Sequence, residues 1–167
     1  MQPVILLIED SENDILLLRH AFQKAGLSRA LNVVRDGVDA MSYLLGLGEF
    51  SDREKNPVPS ILLIDLNMPR LNGLELLAWL RNQPEFAHLM IVVLTGSARK
   101  EEINTAYKMG VNSYLVKPTQ AQSLQRLVDA FYQYWILQNH LPDPVPVTDL
   151  PLGAARRAAN PASKSKR

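Results

Sequence analysis

The chain contains no cysteine, which excludes disulfide bonds and thiolate metal sites. It also lacks long apolar runs: the longest are about five residues, whereas a helix needs roughly 20 to cross a bilayer. Its first residues, MQPVILLIED, have no basic segment ahead of the apolar ones, so they do not resemble a secretory signal. From these absences we predict a cytoplasmic protein with no membrane partner.

A large excess of one charge is missing as well, since the formal net charge is only +1. Residues 1–140 carry 13 basic and 15 acidic side chains, a net charge of −2, whereas residues 141–167 carry five basic and two acidic ones, a net charge of +3. We therefore predict no nucleic-acid partner for the larger part, and a tail that is attracted weakly to acidic surfaces.

Five short apolar runs alternate with stretches whose apolar residues recur at helical spacing. This alternation predicts an α/β protein whose parallel sheet has helices on both faces. The favoured architecture is the flavodoxin-like, doubly wound five-stranded sheet with strand order 2-1-3-4-5, a (βα)5 fold. The predicted strands are 4–8, 31–35, 61–64, 90–94 and 113–116, and the predicted helices are 13–25, a short one near 40–47, 73–82, 100–109 and 120–138.

The composition changes near residue 140. Residues 1–140 are predicted to form one domain, with a long polar loop at 46–60 ahead of the third strand. Residues 141–167 begin with a proline-rich segment that favours polyproline II and end in small, polar and basic residues. We therefore expect a C-terminal extension that consists of a proline-rich arm and a flexible basic tail.

Polar side chains directly follow four of the five predicted strands. Glu9 and Asp10 follow the first strand, Asp65 the third, Thr95 the fourth and Lys117 the fifth. The carboxyl ends of parallel strands meet in one crevice, and in this strand order the switch point lies between strands 1 and 3. Three carboxylates there would repel one another unless a divalent cation lay among them. Together with a hydroxyl and an amine, they predict a site for Mg²⁺ and a phosphoryl group.

The predicted metal site needs few protein ligands, because Mg²⁺ keeps several of its roughly six oxygen ligands as water. Asp10 and Asp65 would bind the ion directly, Glu9 mainly through water, and Asn67 through its backbone carbonyl. Mn²⁺ or Ca²⁺ could substitute for Mg²⁺. Ordinary alternatives stay open for single residues: Asp10 could cap the following helix, and a lone aspartate after a strand commonly belongs to a turn.

Phosphoryl chemistry is predicted for three of these residues. Asp65 would be a nucleophile that accepts the phosphoryl group as an acyl phosphate. Lys117 would bind a phosphoryl oxygen as a point charge, aimed inward if its bond to Pro118 were cis. The Thr95 hydroxyl would bind another phosphoryl oxygen. Tyr114 could change rotamer with the position of Thr95, and a tyrosine that is merely packed stays open as the alternative.

The same part of the chain resembles a known family. Thr95 lies 30 residues after Asp65, Tyr114 lies 19 residues after Thr95, and Lys117 lies 52 residues after Asp65. In these spacings and in four motifs, residues 3–138 resemble the receiver domain of two-component response regulators. The motifs are IED at 8–10, DLNMPRLNG at 65–73, VLTGSA at 93–98 and YLVKP at 114–118.

The resemblance implies a phosphorylated signalling protein and not an enzyme. It implies a sensor histidine kinase as the partner, with Mg²⁺ required for phosphorylation. Asp65 would be the phosphoacceptor, Glu9 and Asp10 the acid pair, and Thr95 and Tyr114 the switch pair, while the lysine after the fifth strand would bind the phosphate.

A narrower resemblance rests on three further segments, EDSENDILLLRHAF, the loop at 46–60 and YQYWILQNHLP. They are similar to the stand-alone regulators that are partners of phytochrome-type histidine kinases. Such regulators signal through changed protein association, and residues 141–167 are too few and too polar for a DNA-binding output domain.

Three other functions fit the sequence less well. A phosphatase of the haloacid dehalogenase type would need a second acid two residues after Asp65, where the chain has Asn67. A scaffold that is never phosphorylated does not need the intact acids and lysine. A nucleotide-binding flavodoxin-like protein would need a glycine-rich loop after the first strand, which the chain lacks.

The last predicted helix is apolar on most of its faces. One set of side chains has the spacing of a core-facing stripe: Leu124, Leu127, Val128, Phe131 and Trp135. A second set remains on other faces near the end of the helix: Tyr132, Tyr134, Ile136 and Leu137. A helix of this kind is usually covered on more than one side, so the second set predicts a homodimer interface. Alternatively, the chain's own proline-rich arm could cover it.

Overall fold

The computed structural model describes residues 3–142. Within them the chain forms a five-stranded parallel sheet with strand order β2-β1-β3-β4-β5. The strands are Ile5–Ile8 (β1), Leu31–Val34 (β2), Ile61–Ile64 (β3), Met90–Thr95 (β4) and Ser113–Val116 (β5). The predicted fold class and strand order are confirmed.

Five α-helices connect and follow the strands in the described part of the chain. They are Glu12–Lys24 (α1), Gly37–Leu45 (α2), Gly73–Arg81 (α3), Lys100–Lys108 (α4) and Ala121–Phe131 (α5). Two short 3₁₀ helices also form: Gly48–Phe50 lies in the loop predicted at 46–60, and Pro84–Phe86 lies between α3 and β4. None of the helices in residues 3–142 has the length and apolar character needed to cross a membrane.

Side chains of alternating strand residues form two hydrophobic layers, one on each face of the sheet. Leu6, Ile8, Leu62 and Ile64 are fully buried on the face covered by α2 and α3. Ile5, Leu7, Ile61 and Leu63 are buried on the opposite face, which α1 and α5 cover. Strands covered on both faces are uniformly apolar, as here, because neither face contacts water.

The register of the sheet aligns the carboxyl ends of its central strands. Ile8 of β1 pairs with Ile64 of β3, and Ile64 pairs with Val93 of β4. The residues that immediately follow β1 and β3 are therefore neighbours at one edge of the sheet. This alignment brings the acidic residues after these strands into one crevice, at the switch point of the sheet.

Local side-chain bonds set the starts of the helices nearest this edge. Asn72 caps α3 through a reciprocal capping box with Glu75, and Ser11 accepts a bond from the backbone of Asp14 at the start of α1. Gly73, the first residue of α3, is so close to β3 that a Cβ there would lie 2.5 Å from the Asp65 carbonyl oxygen. The sequence LNG at 71–73 therefore lets α3 begin directly against the backbone of Asp65.

The loop predicted at 46–60 is folded onto the end of α2. The Arg53 guanidinium donates hydrogen bonds to the carbonyl oxygens of Tyr43, Leu44 and Asn56 at 2.8, 2.9 and 3.0 Å. The Tyr43 hydroxyl donates in turn to the Pro57 carbonyl oxygen at 3.0 Å. A single arginine thus joins carbonyl groups at the end of α2 to that of Asn56 in the loop, which holds a loop that is longer than usual.

The helix predicted at 120–138 is wrong in its second part. α5 ends at Phe131, and residues Tyr132–Gln138 continue as a π-helix. The Asn139 amide donates to the Tyr134 carbonyl oxygen, five residues earlier, at 2.8 Å, which is the π-helical pattern. Helical spacing of apolar residues does not separate these two geometries, because the core contact of Trp135 is compatible with both.

Candidate functional site

Three carboxylates meet beyond the ends of β1 and β3. One oxygen from each of Glu9, Asp10 and Asp65 lies within 4.8 Å of the others. Glu9 and Asp65 are buried, whereas Asp10 is exposed to solvent. The strand register explains the cluster, since Glu9 directly follows Ile8 and Asp65 directly follows its partner Ile64.

The Lys117 side chain reaches this cluster from the end of β5. Its ammonium group donates to Glu9, to Asp14 Oδ2 at 2.8 Å and to Asp65 Oδ2 at 3.1 Å. All three ammonium protons thus have carboxylate acceptors, and only 12% of the side chain is exposed. Burial lowers the pKa of Lys117, but the hydrogen bonds to Asp14 and Glu9 and the charge of Asp65 outweigh burial and raise it. The lysine is therefore a permanent positive charge in the site.

The inward direction of Lys117 does not depend on a cis peptide bond. No peptide bond between residues 3 and 142 is cis, so the cis alternative for the bond to Pro118 is wrong. The Lys117 amide bonds to the Thr95 carbonyl oxygen at 2.8 Å, which extends the β4–β5 pairing by one step. That extra pairing fixes the backbone of the lysine at the crevice.

Thr95 ends β4 and is fully buried. Its hydroxyl oxygen has no hydrogen-bond partner among residues 3–142, although buried hydroxyls are normally paired. An unpaired buried hydroxyl at the carboxyl end of a central strand is available to an oxygen of a bound group. Gly96 follows and is exposed, so it leaves access to the crevice.

Tyr114 lies in β5, half buried, and its hydroxyl is bonded. It donates to the Ser97 carbonyl oxygen at 3.0 Å, in the loop that connects β4 to α4. Burial raises the pKa of Tyr114, and the nearby charge of Glu102 raises it further. The tyrosine is thus hydrogen-bonded to the segment that begins at Thr95, which is more than a packing contact.

The loop between β3 and α3 carries Asn67 and is held at both ends. The backbone amide of Asn67 donates a hydrogen bond to Asp65 Oδ1 at 3.3 Å, which orients that carboxylate. Arg70 adopts a positive φ of 61° and pairs with Asp36 and with Asp39 Oδ1 at 2.9 Å. The two ion pairs hold this otherwise unfavourable backbone conformation and attach the loop to the start of α2.

The donor set suits a hard divalent cation. Carboxylate and carbonyl oxygens are the usual ligands of Mg²⁺ and Mn²⁺, and the exposure of Asp10 leaves room for water ligands. The buried ammonium of Lys117 supplies one positive charge against the carboxylates of Glu9, Asp14 and Asp65. The site therefore has negative charge to spare, which a cation would neutralise.

Two acidic residues of this region were not predicted. Asp14 on α1 contacts Lys117, and Glu102 on α4 pairs with Arg99 and has one buried oxygen without a partner among the described residues. A signal for Asp14 exists in the sequence: it lies four residues before the buried Leu18, at the edge of the face of α1 that packs on the sheet. Glu102 has the same kind of signal, because it lies four residues before the buried Ala106 on α4.

The predicted interface set divides between surface and core. Tyr134 and Leu137 are 58% and 52% exposed. Tyr132 and Ile136 are half buried and pack against the core layer under α5, as do Leu127 and Leu141. The described residues thus leave two large apolar side chains exposed in the π-helical segment, and most of the predicted arm lies outside these residues.

Residues 5–129 match the family described as the response regulator receiver domain. The chain belongs to this family. Response regulator Rcp1 of Synechocystis sp. is 34% identical to the chain over 139 residues, which covers 83% of this receiver and 92% of Rcp1.

Solved structures of similar receivers superpose over nearly their whole length. The crystal structure of the Mn²⁺-bound form of Rcp1 gives a TM-score of 0.76 at 33% identity and covers 84% of this chain and 99% of that one. The phosphorylated cyanobacterial phytochrome response regulator RcpA gives a TM-score of 0.79 at 31% identity and covers 86% and 100%. The similarity of this receiver to phytochrome response regulators is thereby confirmed.

Proposed function

We propose that this receiver accepts a phosphoryl group on Asp65 from a sensor histidine kinase in a Mg²⁺-dependent reaction. The observation that carries the proposal is the contact of the Lys117 ammonium with Asp65 Oδ2 beside the Glu9–Asp10 pair. This contact supports the proposal, because an Asp65 nucleophile would have the Lys117 charge on one side and possible oxygen ligands for a cation on the other. Phosphoryl transfer needs this kind of positioning and charge neutralisation more than any covalent help from the protein.

In the proposed step, an Asp65 carboxylate oxygen forms a bond to phosphorus while the bond from phosphorus to the donor breaks. The leaving group, the imidazole nitrogen of a phosphohistidine, takes the electron pair of the broken bond. Lys117 and the Thr95 hydroxyl would bind oxygens of the transferred group. The backbone amide of Asn67 would orient the attacking carboxylate of Asp65. A cation held by Asp10, Asp65 and the Asn67 carbonyl, with Glu9 acting through water, would offset negative charge on the phosphoryl oxygens.

The proposed signal is a shift between two conformations of the segment from Thr95 to Tyr114. The unpaired Thr95 hydroxyl gains a partner only when Asp65 is phosphorylated, so the modification favours the state in which the two meet. The Tyr114 hydroxyl already contacts the same connection at Ser97, and its position would follow the movement of that loop.

The proposed partners follow from the relatives and from the surface. The kinase would be of the phytochrome type, as for RcpA, and the protein would act in the cytoplasm without binding nucleic acid. The output would be changed protein association, including a homodimer through the π-helical segment, where Tyr134 and Leu137 are exposed.

Incubation with acetyl phosphate tests the phosphoacceptor. Wild-type protein with Mg²⁺ should gain one phosphoryl group by intact-mass spectrometry, whereas Asp65→Asn and protein treated with a chelator should gain none. The exposed acid Asp52 provides a matched control, because Asp52→Asn removes a carboxylate of the same kind from the loop at 46–60. Labelling of Asp65→Asn to the wild-type extent would exclude Asp65 as the acceptor.

A further inference from the structure

Asp14 has a contact that its place in the helix does not explain. It is the third residue of α1, after the cap Ser11, and an acid at this position usually bonds back to the amide of the capping residue. Here the Ser11 amide donates to Glu9 Oε1 at 3.0 Å instead. The Asp14 carboxylate accepts a bond from the Lys117 ammonium at 2.8 Å across the crevice.

The three acceptors of the Lys117 ammonium differ in what phosphorylation does to them. In the proposed reaction an Asp65 oxygen becomes bonded to phosphorus, and Glu9 belongs to the carboxylate cluster that would hold the cation. Asp14 belongs to neither group. It is therefore the acceptor that can hold the lysine both before and after transfer, while the other two change their partners.

We propose that Asp14 is a positioning residue that holds the Lys117 ammonium at the crevice throughout phosphoryl transfer to Asp65. The inference rests on the proposed function and adds a residue to it. Geometry supports it further, because Asp14, Asp65, Asn67 and Lys117 line the same cavity of about 530 Å³. Asp14 lies at the solvent side of this cavity, with 37% of its side chain exposed, whereas Lys117 is mostly buried.

The first test measures phosphorylation by acetyl phosphate at saturating Mg²⁺. Asp14→Ala should lower the rate constant about tenfold, because a misplaced charged group loses much of its effect. Asp14→Asn, which keeps one acceptor oxygen, should lose less. Glu12→Gln is the matched control: it removes the same charge from the same helical turn, but Glu12 is exposed and pairs with Arg35.

Two readouts separate positioning from a structural or metal-binding role. The Mg²⁺ dissociation constant from calorimetry should stay within about twofold of wild type, and the thermal unfolding midpoint should match that of Glu12→Gln, because Asp14 lies outside the carboxylate cluster. In metal-free protein, the ¹⁵Nζ signal of Lys117, assigned by its loss in Lys117→Arg, should be sharp and should broaden through exchange with water in Asp14→Ala.

The outcomes distinguish this inference from the proposed function. If wild-type protein is not labelled at Asp65, the proposed function fails, and this inference fails with it. If wild type is labelled normally but Asp14→Ala and Asp14→Asn match Glu12→Gln or react faster, only the role of Asp14 is overturned. A Lys117 signal that Asp14→Ala leaves sharp, or that is already broad in wild type, overturns it as well, and this measurement needs no phosphoryl transfer.

Discussion

At the residue scale, the proposed switch depends on the Thr95 hydroxyl, which would have different partners in the resting and the phosphorylated protein. This hydroxyl is buried without a hydrogen-bond partner in the described part of the chain. A phosphoryl oxygen on Asp65 would provide the missing hydrogen bond. The free energy of this one bond can therefore bias a conformational equilibrium, since it exists in one state and not in the other.

We expect Thr95→Val to bind Mg²⁺ and to be phosphorylated, but to lose the change in assembly that phosphorylation causes. The variant keeps the shape of the side chain and removes an unpaired hydroxyl, so its free energy of unfolding should be within about 1 kcal/mol of wild type or higher. Thr95→Ser retains the hydroxyl and is the matched control. Calorimetry with Mg²⁺ and sedimentation with and without acetyl phosphate measure the two properties.

A Thr95→Val protein that still assembles on phosphorylation as Thr95→Ser does would contradict the switch. So would a loss of Mg²⁺ affinity as large as that of Asp10→Ala, because Thr95 would then support the metal site and not the signal.

At the scale of elements, the spacing of apolar residues along the sequence predicts the strands and most of the helices. β1 and β3 are runs of leucine and isoleucine that end directly at Glu9 and Asp65, so their carboxyl ends could be predicted to within a residue. The strand order was then enough to predict that these acidic side chains lie close together. Their roles in transfer stay predictions that the labelling experiments test.

The apolar spacing of the sequence does not predict contacts between residues that are distant along the chain. Arg53 looks like a surface residue of a polar loop, yet it bonds to carbonyls nine and ten residues earlier in the chain. Asp14 and Lys117 are 103 residues apart, and only the folded sheet brings them together. The π-helical segment after Phe131 has the same apolar spacing as an α-helix, so only the hydrogen bonds distinguish it.

We expect Tyr43 of α2, which contacts the loop at 46–60, to make the stability of the protein depend on pH in the alkaline range. Burial raises the pKa of Tyr43 to about 12, although the Arg53 charge lowers it. The folded state therefore favours the protonated phenol, whose contribution is complete below pH 10 and is lost as pH rises through the folded pKa. The shift of about two units corresponds to about 3 kcal/mol between pH 10 and 12.

We expect Tyr43→Phe to lose about 1 kcal/mol of stability at pH 7, because the hydrogen bond to Pro57 is missing. Between pH 10 and 12 wild type should lose more than the variant, so that their unfolding free energies converge and then cross. Urea titrations of both proteins at pH 7, 10 and 11.5 measure this. Parallel pH profiles would mean that Tyr43 ionises as easily in the folded state as in the unfolded one.

At the scale of the whole molecule, the question is what covers the end of the last helix. Trp135 is buried and part of the core, so its replacement would damage the fold and say nothing about assembly. Leu141 packs against the core layer under α5, so the chain beyond Gln138 starts along its own domain. Tyr134 and Leu137 remain exposed, and a second copy of the chain could cover them.

The predicted arm contains enough residues to extend over a second copy of the chain. Eleven residues, 142–152, would span roughly 34 Å as polyproline II, at about 3.1 Å per residue. A compact domain of this size has a radius of gyration of only about 14 Å, so the arm could cross most of a neighbouring subunit. Val145, Val147, Leu150 and Leu152 would then lie on that subunit. The positions of these four residues fall outside the described part of the chain.

We predict a homodimer at tens of micromolar, which corresponds to roughly −6 to −7 kcal/mol of association free energy. Leu137→Asp should weaken it at least tenfold, because the charge would be buried in an apolar contact. Leu16→Asp is the matched control, since Leu16 on α1 is 67% exposed and lies beside Val33 and Arg35 at the β2 end of the sheet. A chain truncated after residue 142 keeps the Leu141 contact and tests the arm separately.

Wild-type protein that sediments as a monomer at these concentrations, with and without phosphorylation, would exclude the dimer. Equal weakening by Leu16→Asp would mean that the dimer interface lies outside the π-helical segment.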